Sequence, residues 1–288
     1  MMLRKLTGNI LLLLSLSAAA DSSSVWRVQN DTSTLYLAGT VHLLRPHDYP
    51  LPDVFDRAYR DSQRMVFELD LRDTRTPDFH TLMIESMRLP PGTSLSALLR
   101  ADTLQRLELQ LQKNGMGINQ FSGLKPAMIA MTLTVMELQK LGAGSAGVDE
   151  FFHDRAISDG KRISALETAE QQIQMLASMG KGHEDELIRQ TLVALDHLQE
   201  DFDAMLSAWR AGDLKRMKTL FIDPMKHDFS PVYKELLVDR NNHWIPQIRH
   251  MLETGETEMV LVGSGHLIGE DGLLQQLENV GYRISQLE

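Results

Sequence analysis

The feature that most constrains this chain is an apolar run closed by Gly-x-x-His that occurs near both ends. The first copy is Leu35-Tyr36-Leu37-Ala38-Gly39-Thr40-Val41-His42, and the second is Met259-Val260-Leu261-Val262-Gly263-Ser264-Gly265-His266. An apolar run of this length bounded by glycine reads as a buried strand, with the histidine just past the strand's end. Open α/β sheets place their ligand sites at that edge. Glycine before each histidine lets the backbone turn sharply and lets another group approach closely. Two histidines delivered this way, from opposite ends of the chain, have a route to one site.

The segments between the two copies supply the rest of a sheet. Val25–Val28 and Thr34–Ala38 flank the turn-favouring Gln29-Asn30-Asp31-Thr32-Ser33, which predicts a hairpin leading into the first Gly-x-x-His. Pro46, Pro50 and Pro52 mark a loop, a helix runs from Asp53 to about Gln63, and Met65–Leu69 is again strand-like. Strand, helix, strand is a βαβ unit, so the second strand lies parallel to the first and Glu68 shares an edge with His42. From about residue 77 to 147 the pattern turns helical, with Asp78–Arg88, Asp102–Asn114 and Pro126–Leu141 each stopped by proline or glycine, and no strand is expected there. Pro126–Leu141 is apolar nearly all round and methionine-rich, which predicts burial between helices.

A second α/β passage follows: helix Val148–Ser158, strand Arg162–Leu166, then Glu167 and a Thr168/Gln171 capping box. Residues from Glu184 to about Leu220 read as one long or broken helix, and Pro231–Glu253 as further helix. The chain closes with the second Gly-x-x-His, helix Gly272–Asn279 and a strand around Arg283–Leu287. The expected fold class is α/β (α+β): one domain over 21–288 with a central mixed sheet, two Gly-x-x-His strand ends, a large helical insertion around 77–147 and helices over 184–253.

The chain has 288 residues, enough for a sizeable core, and no cysteine, which excludes thiolate metal sites, disulfides and cysteine nucleophiles. At the start, Arg4 and Lys5 precede the apolar Ile10–Leu14 and the small residues Ala18-Ala19-Ala20. This is the pattern of a secretory signal peptide cut after about Ala20, too short in its apolar core for a stable membrane span. The expected location is periplasmic or secreted. Setting Arg4 and Lys5 aside leaves 27 basic against 39 acidic residues, a net charge of −12. That sign argues against nucleic acid or an anionic membrane as partner.

Among ten histidines, placement singles out His42 and His266. Glu68 ends an apolar strand and needs a partner, because a buried unpaired carboxylate is costly. A divalent ion is one remedy, and a salt bridge to an arginine such as Arg240 is another. Imidazole with carboxylate suits Zn²⁺, Mn²⁺ or Co²⁺, and an ion with His42, Glu68 and His266 as ligands keeps positions for water and substrate. Glu167 is then a further ligand or the general base. Gly142-Ala143-Gly144-Ser145-Ala146-Gly147 matches a dinucleotide fingerprint formally, but it follows a helix and reads as a loop. His183-Glu184-Asp185-Glu186-Leu187 lacks the second histidine of a zinc-protease helix.

Eight short motifs in this order carry a family resemblance. They are Gly39–His42, Phe67-Glu68-Leu69-Asp70-Leu71, Leu124-Lys125-Pro126, Gly147-Val148-Asp149, Leu166-Glu167-Thr168, Ala208–Asp213, Arg240-Asn241 with Trp244, and Gly263–His266. Together they closely resemble the TraB/GumN family, which is similar to the TIKI metalloproteases and, more distantly, to erythromycin-esterase and ChaN-like proteins. The resemblance implies an α/β core with helical additions and a metal-dependent, peptidase-like hydrolase with a peptide or small-molecule substrate. It places His42, Glu68 and His266 at the metal or catalytic centre and makes Glu167, Arg240 and Asn241 catalytic neighbours. Arg240 would suit a substrate carboxylate or a developing oxyanion. Asp239 departs from the glutamate common before Arg-Asn in the family. Two readings compete with the metal enzyme: an esterase-like hydrolase with His42 as general base and no metal, and a protein that binds a peptide or signal molecule without turnover.

Overall fold

The computed structural model describes residues 23–288, so the leader read at residues 1–20 lies outside them. Among the described residues there are eight strands: β1 (Val25–Gln29), β2 (Thr34–Thr40), β3 (Leu43–Leu44), β4 (Arg64–Phe67), β5 (Ser145–Ala146), β6 (Arg162–Ala165), β7 (Glu258–Gly263) and β8 (Arg283–Gln286). Six of them form one mixed sheet in the order β6-β4-β7-β2-β1-β8. The four strands β6, β4, β7 and β2 are mutually parallel, while β1 runs antiparallel to both β2 and β8. The fold is therefore mixed α/β, a six-stranded mixed sheet with many helices.

Burial explains why the interior strands read as apolar runs. Every residue of β2 from Leu35 to Thr40 is buried, as are five of the six in β7. A parallel strand covered on both faces has no solvent side to alternate with. The hairpin ahead of β2 is held by the Asn30 side chain, whose Oδ1 accepts from the Thr32 and Ser33 amides at 2.9 and 2.7 Å. Helix Asp53–Asp61 turns Val54, Phe55, Ala58 and Tyr59 onto the sheet and carries the chain from β2 to β4. These two strands are parallel, as expected, but β7 lies between them. At the buried start of β7, Glu258 is ion-paired with Arg64 on the adjacent β4.

The helices of the insertion are Pro77–Ser86, Leu95–Leu98, Ala101–Lys113 and Pro126–Lys140. They carry a second apolar cluster, including Leu107, Leu111, Ile129 and Leu133, which Ile188 and Leu192 of helix Glu184–Asp196 complete. Helix Pro126–Lys140 is less enclosed than its composition suggests. It buries Ile129, Ala130 and Leu133, whereas Met128, Met131 and Met136 are half-buried. The segment read as strandless holds the two-residue β5, which pairs antiparallel with β3 just after His42. The run from Glu184 breaks at His197 and again at Gly212, which adopts φ +59° before Asp213 caps the next turn through the Arg216 amide. One π-helical turn, Lys234–Val238, leads into helix Asp239–Met251.

Candidate functional site

Parallel pairing brings the expected residues to one edge. Gly39 lies opposite Val262 and Thr40 opposite Gly263, so the two Gly-x-x-His segments leave neighbouring strands side by side. Glu68 follows the last residue of β4, and the Glu167 amide donates to the Glu68 carbonyl at 2.9 Å, extending the β4–β6 ladder past the strand ends. His42, Glu68, Glu167 and His266 thus stand at the carboxyl ends of four consecutive strands.

Gly263 is the point on which three of these side chains converge. A Cβ built there would lie 3.3 Å from Glu68 Oε1, 3.6 Å from His42 Nε2 and 3.7 Å from His266 Cδ2. The Gly263 amide donates to Glu68 Oε1 at 2.6 Å. Burial alone would raise the Glu68 carboxyl, but the Arg240 guanidinium, the two imidazoles and the Gly263 N–H together outweigh it and hold the group ionised, with its pKa lowered to about 2.

His266 is buried, and its tautomer follows from its partners. The Asn241 amide nitrogen donates to the carbonyls of His266 and Asp271 at 3.2 and 2.8 Å, which turns its oxygen towards the ring. His266 Nδ1–H therefore donates to Asn241 Oδ1 at 2.7 Å, and Nε2 accepts from Arg240 Nη1 at 3.0 Å. Burial pushes the imidazole pKa down to about 3, so the ring is neutral across the physiological range. Trp244 packs its ring against His266 with centroids 4.3 Å apart.

Arg240 spends all five of its N–H donors inside the protein. Nε and Nη2 grip the two oxygens of Glu167 at 2.8 and 2.9 Å, and Nη2 also reaches Glu68 Oε2 at 2.5 Å. Nη1 donates to His266 Nε2 and, at 3.4 Å, to the Leu236 carbonyl in the π-helical turn. The salt bridge between Glu68 and Arg240 is thus formed. A substrate anion or oxyanion reaches this guanidinium only at the expense of one of those bonds. Glu167 lies behind Arg240 and also accepts from Trp244 Nε1 at 3.1 Å.

His42 differs from the buried pair in being open to solvent, with 64% of its side chain exposed. Its Nδ1–H donates to Asp149 Oδ1 at 3.1 Å, which leaves Nε2 facing Glu68. The Asp149 carboxylate raises the imidazole pKa, although water screens part of that pull on so exposed a ring. Asp149 sits in the first turn of helix Val148–Ser158, and Gly147 is what lets it arrive. A Cβ on Gly147 would collide with the backbone of Val41 and His42, and the Val148 amide donates to the Val41 carbonyl at 3.0 Å. Sequence reasoning assigned no role to Asp149 or Trp244 and treated the glycine-rich loop as a plain connection. The signal was present in Gly147-Val148-Asp149, a glycine placed for close approach with a carboxylate two residues on.

The donor chemistry of His42, Glu68 and His266 suits a divalent ion, and two donors, His42 Nε2 and Glu68 Oε1, face one another over Gly263. The third is engaged: His266 Nε2 accepts from Arg240. Among the described residues no group of three or more histidine, aspartate or glutamate side chains is placed so that it could hold a metal ion. No helix among them is long and apolar enough to cross a membrane.

Comparison with known proteins agrees with this geometry at the level of family. The chain is 23% identical to the metalloprotease TIKI2 of Danio rerio over 86% of its length, 22% identical to a metalloprotease TIKI homologue of Amphimedon queenslandica over 93%, and 22% identical to TIKI2 of Xenopus tropicalis over 91%. The alignments span 57%, 62% and 59% of those proteins. No solved structure matches. The family model described as TraB/PrgY/gumN matches residues 24–286, nearly all of the described chain, and the protein belongs to that family.

Proposed function

We propose that this protein is an exported, metal-dependent hydrolase of peptides or similar amides, with its centre at the carboxyl ends of β2, β4 and β7. The observation that carries the reading is the convergence of His42 Nε2, Glu68 Oε1 and the His266 ring on Gly263, which has no side chain to fill the space between them. The distant relatives named as metalloproteases point the same way. Zn²⁺, Mn²⁺ or Co²⁺ would be held by His42 and Glu68 with His266 as third ligand, and such an ion polarises a carbonyl and activates water.

The chain's own residues do the positioning. Asp149 fixes the His42 ring so that Nε2 looks inward, and Asn241 does the same for His266 through Nδ1. Arg240 keeps Glu68 ionised, and Glu167 keeps Arg240 in place.

Metal analysis of protein purified without chelator tests the proposal, alongside His42→Ala, Glu68→Gln and His266→Ala. Wild type is expected to retain a stoichiometric divalent ion that the variants lose, and to hydrolyse members of a peptide library only with that ion. Wild type that holds no more metal than the variants would refute the metal centre. Tight peptide binding without turnover under Zn²⁺, Mn²⁺ or Co²⁺ would leave a binding protein instead. Export is tested by the N-terminal sequence of the mature chain, which should begin near Asp21.

A further inference from the structure

An aromatic ring left partly in water rests on the segment that carries His266. A Cβ built on Gly265 would lie 2.8 Å from Phe221 Cε1 and 3.5 Å from Leu237 Cδ2, so the Phe221 ring lies directly against this backbone. Two residues of chain span at most about 7 Å. Gly265 therefore stands beside Gly263, over which His42 Nε2 and Glu68 Oε1 face one another. Leu237 is buried, whereas Phe221 is 37% exposed. We propose that Phe221 forms a wall of an apolar subsite that takes a large apolar side chain of the peptide next to the bond cleaved, an assignment that rests on the hydrolase reading above.

The backbone is shaped to hold this ring out of the core. Phe221 belongs to a further π-helical turn, Lys218–Ile222, closed by the Asp223 amide donating to the Lys218 carbonyl five residues back. In an α-helix residues four apart share a face, so Phe221 would follow the buried Met217 inward. The wider turn brings the fifth residue round instead. Ile222 is buried together with Met217, and Phe221 is turned out beside Gly265. Single π-turns of this kind are frequent at functional sites. The other, Lys234–Val238, meets the same glycine through Leu237 and offers its Leu236 carbonyl to Arg240. Both irregular turns thus close on the segment that delivers His266.

Charge decides which side chain suits the place. Lys218, on the same turn as Phe221, is ion-paired with Asp223, and Arg240 spends its donors on Glu68, Glu167, His266 and Leu236. Neither is free for an acidic side chain, and the ionised Glu68 repels one. A large apolar side chain instead covers the exposed face of Phe221, and an aromatic one adds ring–ring contact.

Mass-spectrometric mapping of cuts in a peptide library, with Zn²⁺, Mn²⁺ or Co²⁺ supplied, locates the bond cleaved. Peptides differing only in phenylalanine, leucine, serine or glutamate beside it then give kcat/KM for wild type, Phe221→Ala and Phe221→Lys. Wild type is expected to favour phenylalanine over serine at least about tenfold, the usual worth of filling an apolar pocket. Phe221→Ala should lose that preference while cleaving the serine peptide as before, and Phe221→Lys should move it towards glutamate. A merely structural role would slow all four peptides alike. Wild type without the preference, or a folded Phe221→Ala that keeps it, overturns the subsite and leaves the hydrolase standing. Should Phe221→Ala not fold, Phe221→Lys decides, and an unchanged preference there refutes the subsite. If wild type cleaves no peptide, the hydrolase reading fails and binding of the same peptides, fluorescently labelled, tests the subsite by itself. Affinity that separates phenylalanine from serine in wild type but not in Phe221→Ala supports it, and equal affinity refutes it.

Discussion

At the scale of single residues, Gly263 controls the site by having no side chain. Its φ of −49° is open to any L-residue, so Gly263→Ala carries no backbone penalty. The new methyl group would press on Glu68 Oε1 and fill the gap that His42 Nε2 and His266 also border. We expect the variant to fold with a loss of about 1–3 kcal/mol, the usual cost of overpacking, and to lose the metal binding and hydrolysis proposed above. A urea melt with metal analysis on the same sample checks this. Full metal content in a folded Gly263→Ala would mean that the ligands meet elsewhere. The convergence itself was legible in the sequence, because glycine, strand end and histidine recur together and Glu68 ends the strand between. The commitment of Arg240 to four partners was not, since a sequence names a guanidinium but not how many of its donors are spent.

At the scale of elements, helix Val148–Ser158 acts as a strut. Its first turn supplies Asp149 to His42, and one turn on His153, fully buried, touches Asp70 Oδ1 at 3.0 Å at the corner just beyond Glu68. One rigid helix therefore spans the loop carrying one proposed ligand and the strand end carrying another. Loss of an orienting carboxylate behind a ligand typically costs 10–100-fold, so Asp149→Asn is expected to lower kcat or metal affinity by about that factor while the melting temperature stays near wild type. Unchanged kinetics and metal affinity would reduce the Asp149 contact to a surface pair. The boundaries of this helix were readable, with Gly160 as its stop, and so was the Thr168/Gln171 box that starts the next. Its role was not, because it depends on Gly147 resting against the His42 backbone, and such contact leaves only a glycine in the sequence.

At the scale of the molecule, the sheet and the helical insertion each have an apolar cluster, and polar contacts tie the insertion's helices together. Glu137 on helix Pro126–Lys140 accepts from Gln110 at 2.9 Å, Asn114 at 2.9 Å and Lys140 at 3.0 Å. Burial alone would raise its pKa, but these donors outweigh it and hold it below the ordinary 4.5. A carboxyl with a lowered folded pKa stabilises above its unfolded value and loses that contribution as the pH falls through the folded one. Glu137→Gln should therefore cost about 1–2 kcal/mol near pH 7, and the gap to wild type should close below about pH 4.5. Urea unfolding across that range measures it, and a gap that widens in acid would contradict the assignment. Strand identities were largely readable at this scale, but strand order was not, because hydrophobic runs report burial and say nothing of which strand lies beside which.

That order has a consequence for when the protein can work. The final central strand, β7, fills the gap between β2 and β4, and it is made after nearly all the rest. Until residues 258–263 arrive, β2 and β4 each present an unsatisfied edge, the kind that recruits foreign strands. Pairing so distant in sequence is slow to form. Both histidines and Glu68 therefore meet only at the end of assembly, and an unfinished chain lacks the proposed centre. Insertion of β7 is at once the step that closes the sheet and the step that arms the site.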